Sequence, residues 1–463
     1  MNQTFTLKTI SKKDSLIFLT VSEKADSHVL SSAVTRPQLN SFVWWGGGLL
    51  FGFLVVWFIL YLRGTFRKKV QYRLKDVPSL DEPHFPLALT GISGSYITKG
   101  EPIAYWFDIN SIYRSRLEAI RRARRTIHFE TFYITPGYRA EEFALALAER
   151  AQAGVEVLVI ADSLGVFKLS QEYWQQLKAA GVNVRFFHKF NWRNPLIYNI
   201  RTHRKLLLID GEMAFVGGTG VSDYWDGFED KEQTSPWLDF EVCFQGPIVT
   251  TLEGMFMEQW SYVGGVASLS SEIFNPDLSG GLPVLVTLRK APAARSSVYA
   301  LFYTSLLAAK KRIWIASPYF LPERSARQAL IRAKKNGLDV RILTVGPHND
   351  KQSVYYAVRE RYRDLLTAGI EIYEYQPSMM HAKVLLLDDC WVITGSANFD
   401  PRSLFHNDEL QLSLAEPKFV KFVEYFFLCA FSKSRLIKTT QWKTRPLWHR
   451  ILGRFALFIR WQL

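Results

Sequence analysis

Residues 202–211, THRKLLLIDG, and residues 380–389, MHAKVLLLDD, decide the reading of this 463-residue chain. In each, a histidine is followed by any residue, a lysine, four residues and an aspartate, then six residues and Gly-Gly or Gly-Ser. Alternate residues of a strand share a face, so His203 and Lys205 point the same way, as do His381 and Lys383. An imidazole beside an ammonium suits a phosphate ester. The lysine neutralises a nonbridging oxygen, and the histidine attacks phosphorus or protonates the departing oxygen. Asp210 and Asp388 complete the catalytic motif, but their odd offset of seven points them away from the histidine, as turn and scaffold residues rather than proton carriers. Asp239 in WLDFEV and Glu409 in NDELQL each open an alternating run that ends at a proline eight residues on. A carboxylate there, accepting one ring N–H, would orient each histidine and raise the basicity of its other nitrogen.

Outward from the motifs the chain repeats itself. TIHFETFYI (126–134), GVEVLVIAD (154–162), AGVNVRFF (180–187) and FVGG (215–218) have counterparts in RIWIASPYF (312–320), GLDVRILTV (337–345), AGIEIYEY (368–375) and VITGSAN (392–398). The anchors Tyr133/Tyr319, Gly154/Gly337, Gly181/Gly369 and His203/His381 are offset by 186, 183, 188 and 178 residues, so one unit occurs twice. Short β-branched runs alternate with helical stretches such as SIYRSRLEAIRRARR (111–125) and SARQALIRAKKNG (325–337), the second ended by a glycine signal. The class is α/β: a sheet between helices, expected to be largely parallel, with a hairpin at each motif where Asp210-Gly211 marks a turn. The repeats are placed at 96–270 and 271–435.

Between Phe42 and Leu62 run 21 residues without a charge, roughly 31 Å as a helix and enough to cross a bilayer. Arg63, Arg67, Lys68, Lys69, Arg73 and Lys75 follow it, whereas the 20 residues before it carry only Lys24 and Arg36 as basic residues. The positive-inside rule puts everything after the span in the cytoplasm. The expected order is therefore a tail (1–41), a transmembrane helix (42–62), a basic linker (63–95), the two repeats, and a basic amphipathic segment (436–463). In that last segment Leu447, Ile451, Leu452, Phe455, Phe458 and Ile459 gather on one side of a helix, with His449, Arg450, Arg454 and Arg460 largely on the other. Such a helix either lies in a membrane interface or docks on the protein's own core.

The net charge of +14 favours anionic partners without choosing among lipid, nucleic acid and phosphate esters; the uncharged span favours lipid. Cys243, Cys390 and Cys429 are far apart and form no C-x-x-C, which gives neither a zinc ribbon nor a disulfide framework.

The paired HRKLLLID and HAKVLLLD segments, followed by GG and GSAN, resemble the phospholipase D superfamily, and the order of elements resembles bacterial cardiolipin synthases. The likeness covers residues 96 to 430. It implies an α/β/α sandwich of two tandem repeats with one active site at their pseudo-twofold interface, no metal or other cofactor, and a covalent phosphohistidine. On that resemblance His203 is the nucleophile and His381 the acid/base, with the reverse allowed by symmetry. Lys205 and Lys383 bind nonbridging oxygens, and Ser396 and Asn398 add hydrogen bonds. Gly220 stands where the family generally has asparagine, leaving Thr219 or Ser222 to supply a hydroxyl. The implied reaction joins two phosphatidylglycerols into cardiolipin and glycerol at a bacterial inner membrane, with anionic phospholipids as partners and no nucleic acid. Hydrolysis by the same residues is the alternative, ahead of a membrane-bound nuclease or a silent scaffold.

Overall fold

The computed structural model describes residues 38–62, 72–193, 195–229, 232–270, 274, 280–291, 295–458 and 460–461. The first 37 residues of the expected tail, residues 63–71 of the basic linker, and Ile459 lie outside them.

In the first half the strands are β1 (Tyr96–Trp106), β2 (Thr126–Thr131), β3 (Glu156–Asp162), β4 (Asn183–Phe187), β5 (Leu206–Ile209), β6 (Met213–Gly217), the two-residue β7 (Phe228–Glu229) and β8 (Glu232–Gln233), and β9 (Glu241–Gln245). In the second they are β10 (Leu282–Arg289), β11 (Arg312–Ala316), β12 (Asp339–Val345), β13 (Glu371–Tyr375), β14 (Val384–Leu387), β15 (Trp391–Gly395), β16 (Glu409–Leu414) and β17 (Ser434–Leu436). Apart from the β7–β8 pair they form one sheet, in the order β17-β13-β12-β11-β14-β15-β16-β10-β1-β9-β6-β5-β2-β3-β4. Outward from the central β1–β10 pair, β9, β6, β5, β2, β3, β4 are matched by β16, β15, β14, β11, β12, β13, so the duplication is written in the topology. β1 serves both halves: Tyr96–Gly100 pair with β10 and Glu101–Trp106 with β9, with a register shift between Pro102 and Ala104.

The sheet is mixed, not largely parallel. Only β2–β3–β4 and β11–β12–β13 run parallel, and the other pairings among the described strands are antiparallel. Helical crossovers separate the strands of each parallel trio, whereas β5–β6 and β14–β15 are hairpins, and a hairpin can only pair antiparallel. At Asp210-Gly211 both residues are left-handed (φ 56° and 67°), as that dipeptide allows.

Period-two alternation sends Leu206 and Leu208 into one core and Leu207 and Ile209 into the other. The helix Ile109–Arg122, capped by Asp108 accepting from the Ser111 N–H, buries Ile112, Tyr113, Arg116, Leu117 and Ile120 in the first layer. Opposite lie Pro247–Tyr262 and Pro417–Ser432. The two prolines that end the carboxylate-bearing runs are thus the first residues of helices, where a missing N–H costs nothing.

The helix Gln38–Leu62 contains the uncharged stretch. Its side chains are described at residues 45–61, and Trp45, Leu49, Phe51 and Phe53 among them are exposed. Among the described residues no helix is long and apolar enough to cross a membrane. The C-terminal helix Leu447–Phe458 docks on the helix Gln352–Glu360 through Gly453 and Ala456. A Cβ on Gly453 would stand 2.5 Å from the Tyr356 carbonyl, so only glycine permits this approach. His449 stacks on Tyr356 with ring centroids 4.6 Å apart. The larger apolar side chains face outward: Leu447, Ile451 and Phe455 are 67%, 58% and 69% exposed. Docking therefore uses the small-residue face and leaves the large apolar face uncovered by the described residues.

Candidate active site

Backbone pairing between the halves builds the site. The His203 N–H donates to the Asp408 carbonyl at 2.9 Å, and the Asp408 N–H to the Arg201 carbonyl at 2.8 Å. Symmetrically, the His381 N–H donates to the Leu238 carbonyl (2.7 Å) and the Leu238 N–H to the Met379 carbonyl (3.0 Å). The residue after each bridge is a carboxylate, which is thereby delivered to the histidine of the opposite half. Glu409 Oε2 lies 3.1 Å from His203 Nδ1, and Asp239 Oδ2 lies 2.8 Å from His381 Nδ1. Both carboxylates expected to steer the histidines do face them, each across the interface.

The histidines and lysines stand on the extended lip just before β5 and β14 rather than inside the ladders. The shared face survives: Lys205 Nζ donates to the carbonyl of His203 at 2.7 Å, and Lys383 Nζ to that of His381. Buried polar contacts fix the first lip. Arg201 and the Thr202 N–H meet Asp162 at 3.1 and 3.0 Å, and the Thr202 hydroxyl donates to Glu130.

Asp210 and Asp388 sit at the far ends of β5 and β14. Asp210 accepts the N–H groups of Arg124, Arg125 and Thr126 at 2.7–3.1 Å, and Asp388 those of Lys310, Lys311 and Arg312 at 2.7–3.1 Å. They clamp the motif strand to β2 and β11. That is the turn and scaffold position their odd offset points to, away from the histidines with which the motif groups them.

Ser396 directs its hydroxyl to Glu409 Oε2 at 2.5 Å instead of toward a phosphate. Asn398 is buried, and among the described residues its Oδ1 has no hydrogen-bond partner. At Gly220 a Cβ would lie 2.8 Å from the Tyr133 carbonyl and 3.0 Å from the Trp225 ring, so no asparagine fits. The substitute hydroxyls do not reach the site either: Ser222 Oγ is bound to Thr135 Oγ1 at 2.5 Å, and Thr219 Oγ1 is buried without a partner among the described residues. Trp225 stands in this place. Its indole N–H donates to Asp239 Oδ2 at 2.8 Å, and its ring meets that of His381 edge-on at 5.2 Å.

His203, Lys205 and His381 open into one cavity of about 730 Å³, walled by Phe132, Tyr133, Phe167, Tyr224, Trp225, Trp237 and Tyr319, with Lys168, Asp350 and Lys351 also lining it. Apart from Tyr133 and Tyr319, which marked the repeat, sequence reasoning named none of these. The aromatic cluster in DYW (223–225) and PW (236–237) was the available signal.

Burial pushes both rings down to about 4, with the neighbouring lysine adding to the push and the carboxylate opposing it. Glu409, against its burial, is held at about 2 by His203, the Ser396 hydroxyl and Lys205. Asp239 is held below the usual carboxylate range by His381, Lys383 and the Trp225 N–H, again against its burial. An ionised carboxylate only accepts, so each Nδ1 carries the proton and each Nε2 keeps its lone pair. Lys383 Nζ, 3.0 Å from His381 Nδ1, is then a crowding charge. Burial and the charge of Lys383 lower Lys205 to about 7; burial lowers Lys383 to about 8, opposed by Asp239, Glu409 and Asp350. Two neutral imidazoles beside two weakly held ammonium groups form a site that gains from an arriving phosphodiester anion.

The family described as cardiolipin synthase, PLD-like domain, matches residues 117–224 and again 303–428. The chain is 33% identical over 353 residues to a cardiolipin synthase of Alkalihalophilus pseudofirmus, covering 74% of this chain and 69% of that one. It is 34% identical over 350 residues to the probable cardiolipin synthase YwiE of Bacillus subtilis, covering 73% and 68%. In fold it is similar to the phosphatidylserine synthase of Haemophilus influenzae, with a TM-score of 0.62 at 13% identity over 82% of this chain and 99% of that one.

Proposed function

This chain belongs to the phospholipase D-like family of the cardiolipin synthases, and from that premise we propose that it joins two phosphatidylglycerols into cardiolipin and glycerol through a covalent phosphohistidine. The observation that carries the mechanism is the pair of crossed carboxylates, which leave the Nε2 atoms of His203 and His381 unprotonated at one cavity. His203 Nε2 attacks the phosphorus of the first lipid. The bond to the glycerol oxygen breaks, and glycerol leaves with a proton from His381. For that step His381 takes a proton from solvent, which the incoming phosphodiester's negative charge holds against the burial and the Lys383 charge that lower the ring. His381 then accepts the proton of the second lipid's hydroxyl as its oxygen attacks phosphorus and the phosphorus–nitrogen bond breaks. Lys205 and Lys383 balance the charge on the nonbridging oxygens. A wide, aromatic-walled cavity favours a lipid acceptor over water.

Three features support a membrane setting. Residues 42–62 carry no charge, and Trp45, Leu49, Phe51 and Phe53 within the helix Gln38–Leu62 are exposed. The C-terminal helix turns large apolar residues outward beside Arg450 and Arg454, which suits an anionic leaflet. Leu164 and Phe167 make part of the cavity rim apolar. On this reading one span anchors the chain in a bacterial inner membrane, with both halves in the cytoplasm facing anionic phospholipids.

The test uses the purified full-length protein with labelled phosphatidylglycerol. Cardiolipin with glycerol, and a phosphatidyl adduct on a histidine after acid quench, are expected. Phosphatidic acid as the sole product would replace synthesis by hydrolysis, and an active enzyme with His203→Ala and His381→Ala both at full rate would overturn the covalent route.

A further inference from the structure

Lys168 and Lys351 hold equivalent places in the two halves. β3 and β12 are offset by 183 residues at both ends, and the same offset carries Lys168 onto Lys351. Both line the cavity into which the two histidines open. Each ammonium rests near a tyrosine face: Lys168 Nζ is 5.8 Å from the Tyr224 ring centroid and 3.4 Å from its hydroxyl, and Lys351 Nζ is 5.3 Å from the Tyr319 centroid. Unlike the buried Lys205 and Lys383, both are exposed, and among the described residues neither is ion-paired with a carboxylate.

The residues just before them break the symmetry. Phe167 precedes Lys168, and Asp350, which accepts the Tyr319 hydroxyl at 2.6 Å, precedes Lys351. One side of the rim is apolar, and the other carries a carboxylate that can receive the free hydroxyls of a glycerol head group.

We propose that Lys168 and Lys351 form an outer phosphate site that holds the phosphodiester of the acceptor lipid while the inner pair holds the one under attack. This rests on the phosphatidyl-transfer reading. A product with two phosphodiesters joined by one glycerol places a second negative charge a glycerol's length from the first, and Lys205 at the cavity with Lys383 bonded to His381 behind it is the pair that the transfer reading commits to the reacting phosphate. A second cation pair in the same cavity meets that charge.

Two reactions of the full-length protein in phosphatidylglycerol vesicles separate the sites. Cardiolipin formation needs an acceptor with its own phosphate; exchange of labelled free glycerol into phosphatidylglycerol breaks and remakes the same bond with an acceptor that has none. In Lys168→Ala/Lys351→Ala the ratio of cardiolipin formation to glycerol exchange is expected to fall about tenfold, with Lys168→Arg/Lys351→Arg restoring most of it. An unchanged ratio, whether both rates fall together or neither does, overturns the outer site alone. Absence of both products in the unaltered protein overturns the transfer reading and the outer site with it.

Discussion

Asp239 Oδ2 lies 2.8 Å from Nδ1 of His381, a residue 142 positions later in the chain and in the other repeat. The same oxygen accepts the Trp225 indole N–H, and the other oxygen takes the Phe240 N–H, so the carboxylate has no freedom to turn away. Glu409 is held differently, by the Ser396 hydroxyl, and reaches His203 from a side chain one methylene longer.

Removing the charge while keeping the shape tests these contacts. Asp239→Asn and Glu409→Gln should each lower kcat about 10²–10⁴-fold, because an amide cannot hold the imidazole in the Nδ1–H form and cannot stabilise it when it becomes charged. Steady-state rates with circular dichroism checks read this. A loss below about threefold in both would remove the carboxylates from the mechanism.

The pH profile follows from opposite requirements. The attacking ring must be neutral, so activity should rise as pH climbs through about 4, while His381, lowered to the same value in the free protein, keeps its proton above it only with the substrate's charge in place. The lysines must be charged, so it should fall as Lys205 deprotonates at about 7 and Lys383 at about 8. The optimum is expected at about pH 5–6, below the range in which an exposed lysine would matter. Initial rates across pH should show the falling limb move upward in Lys205→Arg, because a guanidinium keeps its proton; a limb that stays in place would assign it to another group.

Gly220 offers a sharper test of the first half. Placing there the asparagine that the second half carries at Asn398 should not improve the enzyme. Gly220→Asn, and even Gly220→Ala, should cost about 1–3 kcal/mol of stability, since the first added carbon meets the Tyr133 backbone and the Trp225 ring. Thermal unfolding in detergent measures this, and a variant as stable as the parent would mean that Trp225 moves aside freely.

Asp210→Ala and Asp388→Ala should each destabilise by about 2–3 kcal/mol, because three backbone N–H groups lose their acceptor at once. The fall in unfolding midpoint should exceed any fall in turnover per folded molecule. The reverse order would return these aspartates to the reacting centre.

The repeat, the four histidine and lysine positions and the two steering carboxylates were legible because each depends on local spacing or on a match between halves. The crossing of the carboxylates was not, because Asp239 and Glu409 are as compatible with their own half as with the other until Leu238 and Asp408 are seen bridging to residues 379–381 and 201–203. The mixed sheet was missed for a related reason: alternating strands and helices suggest parallel pairing, and β9 and β16 return to the centre of the sheet without announcing it. Trp225 replaces a side chain that Gly220 lacks from five residues downstream, and no spacing rule connects the two.

The crossing also bears on the birth of the molecule. During synthesis the first half leaves the ribosome with His203 but without Glu409, and with Asp239 facing no histidine. Neither half alone pairs a histidine with its orienting carboxylate, so a half-folded chain lacks the proton arrangement of the finished site. The orientation of His203 depends on β16, paired with β10, to set Glu409 in place. Lipid chemistry is thereby made conditional on the completion of the fold.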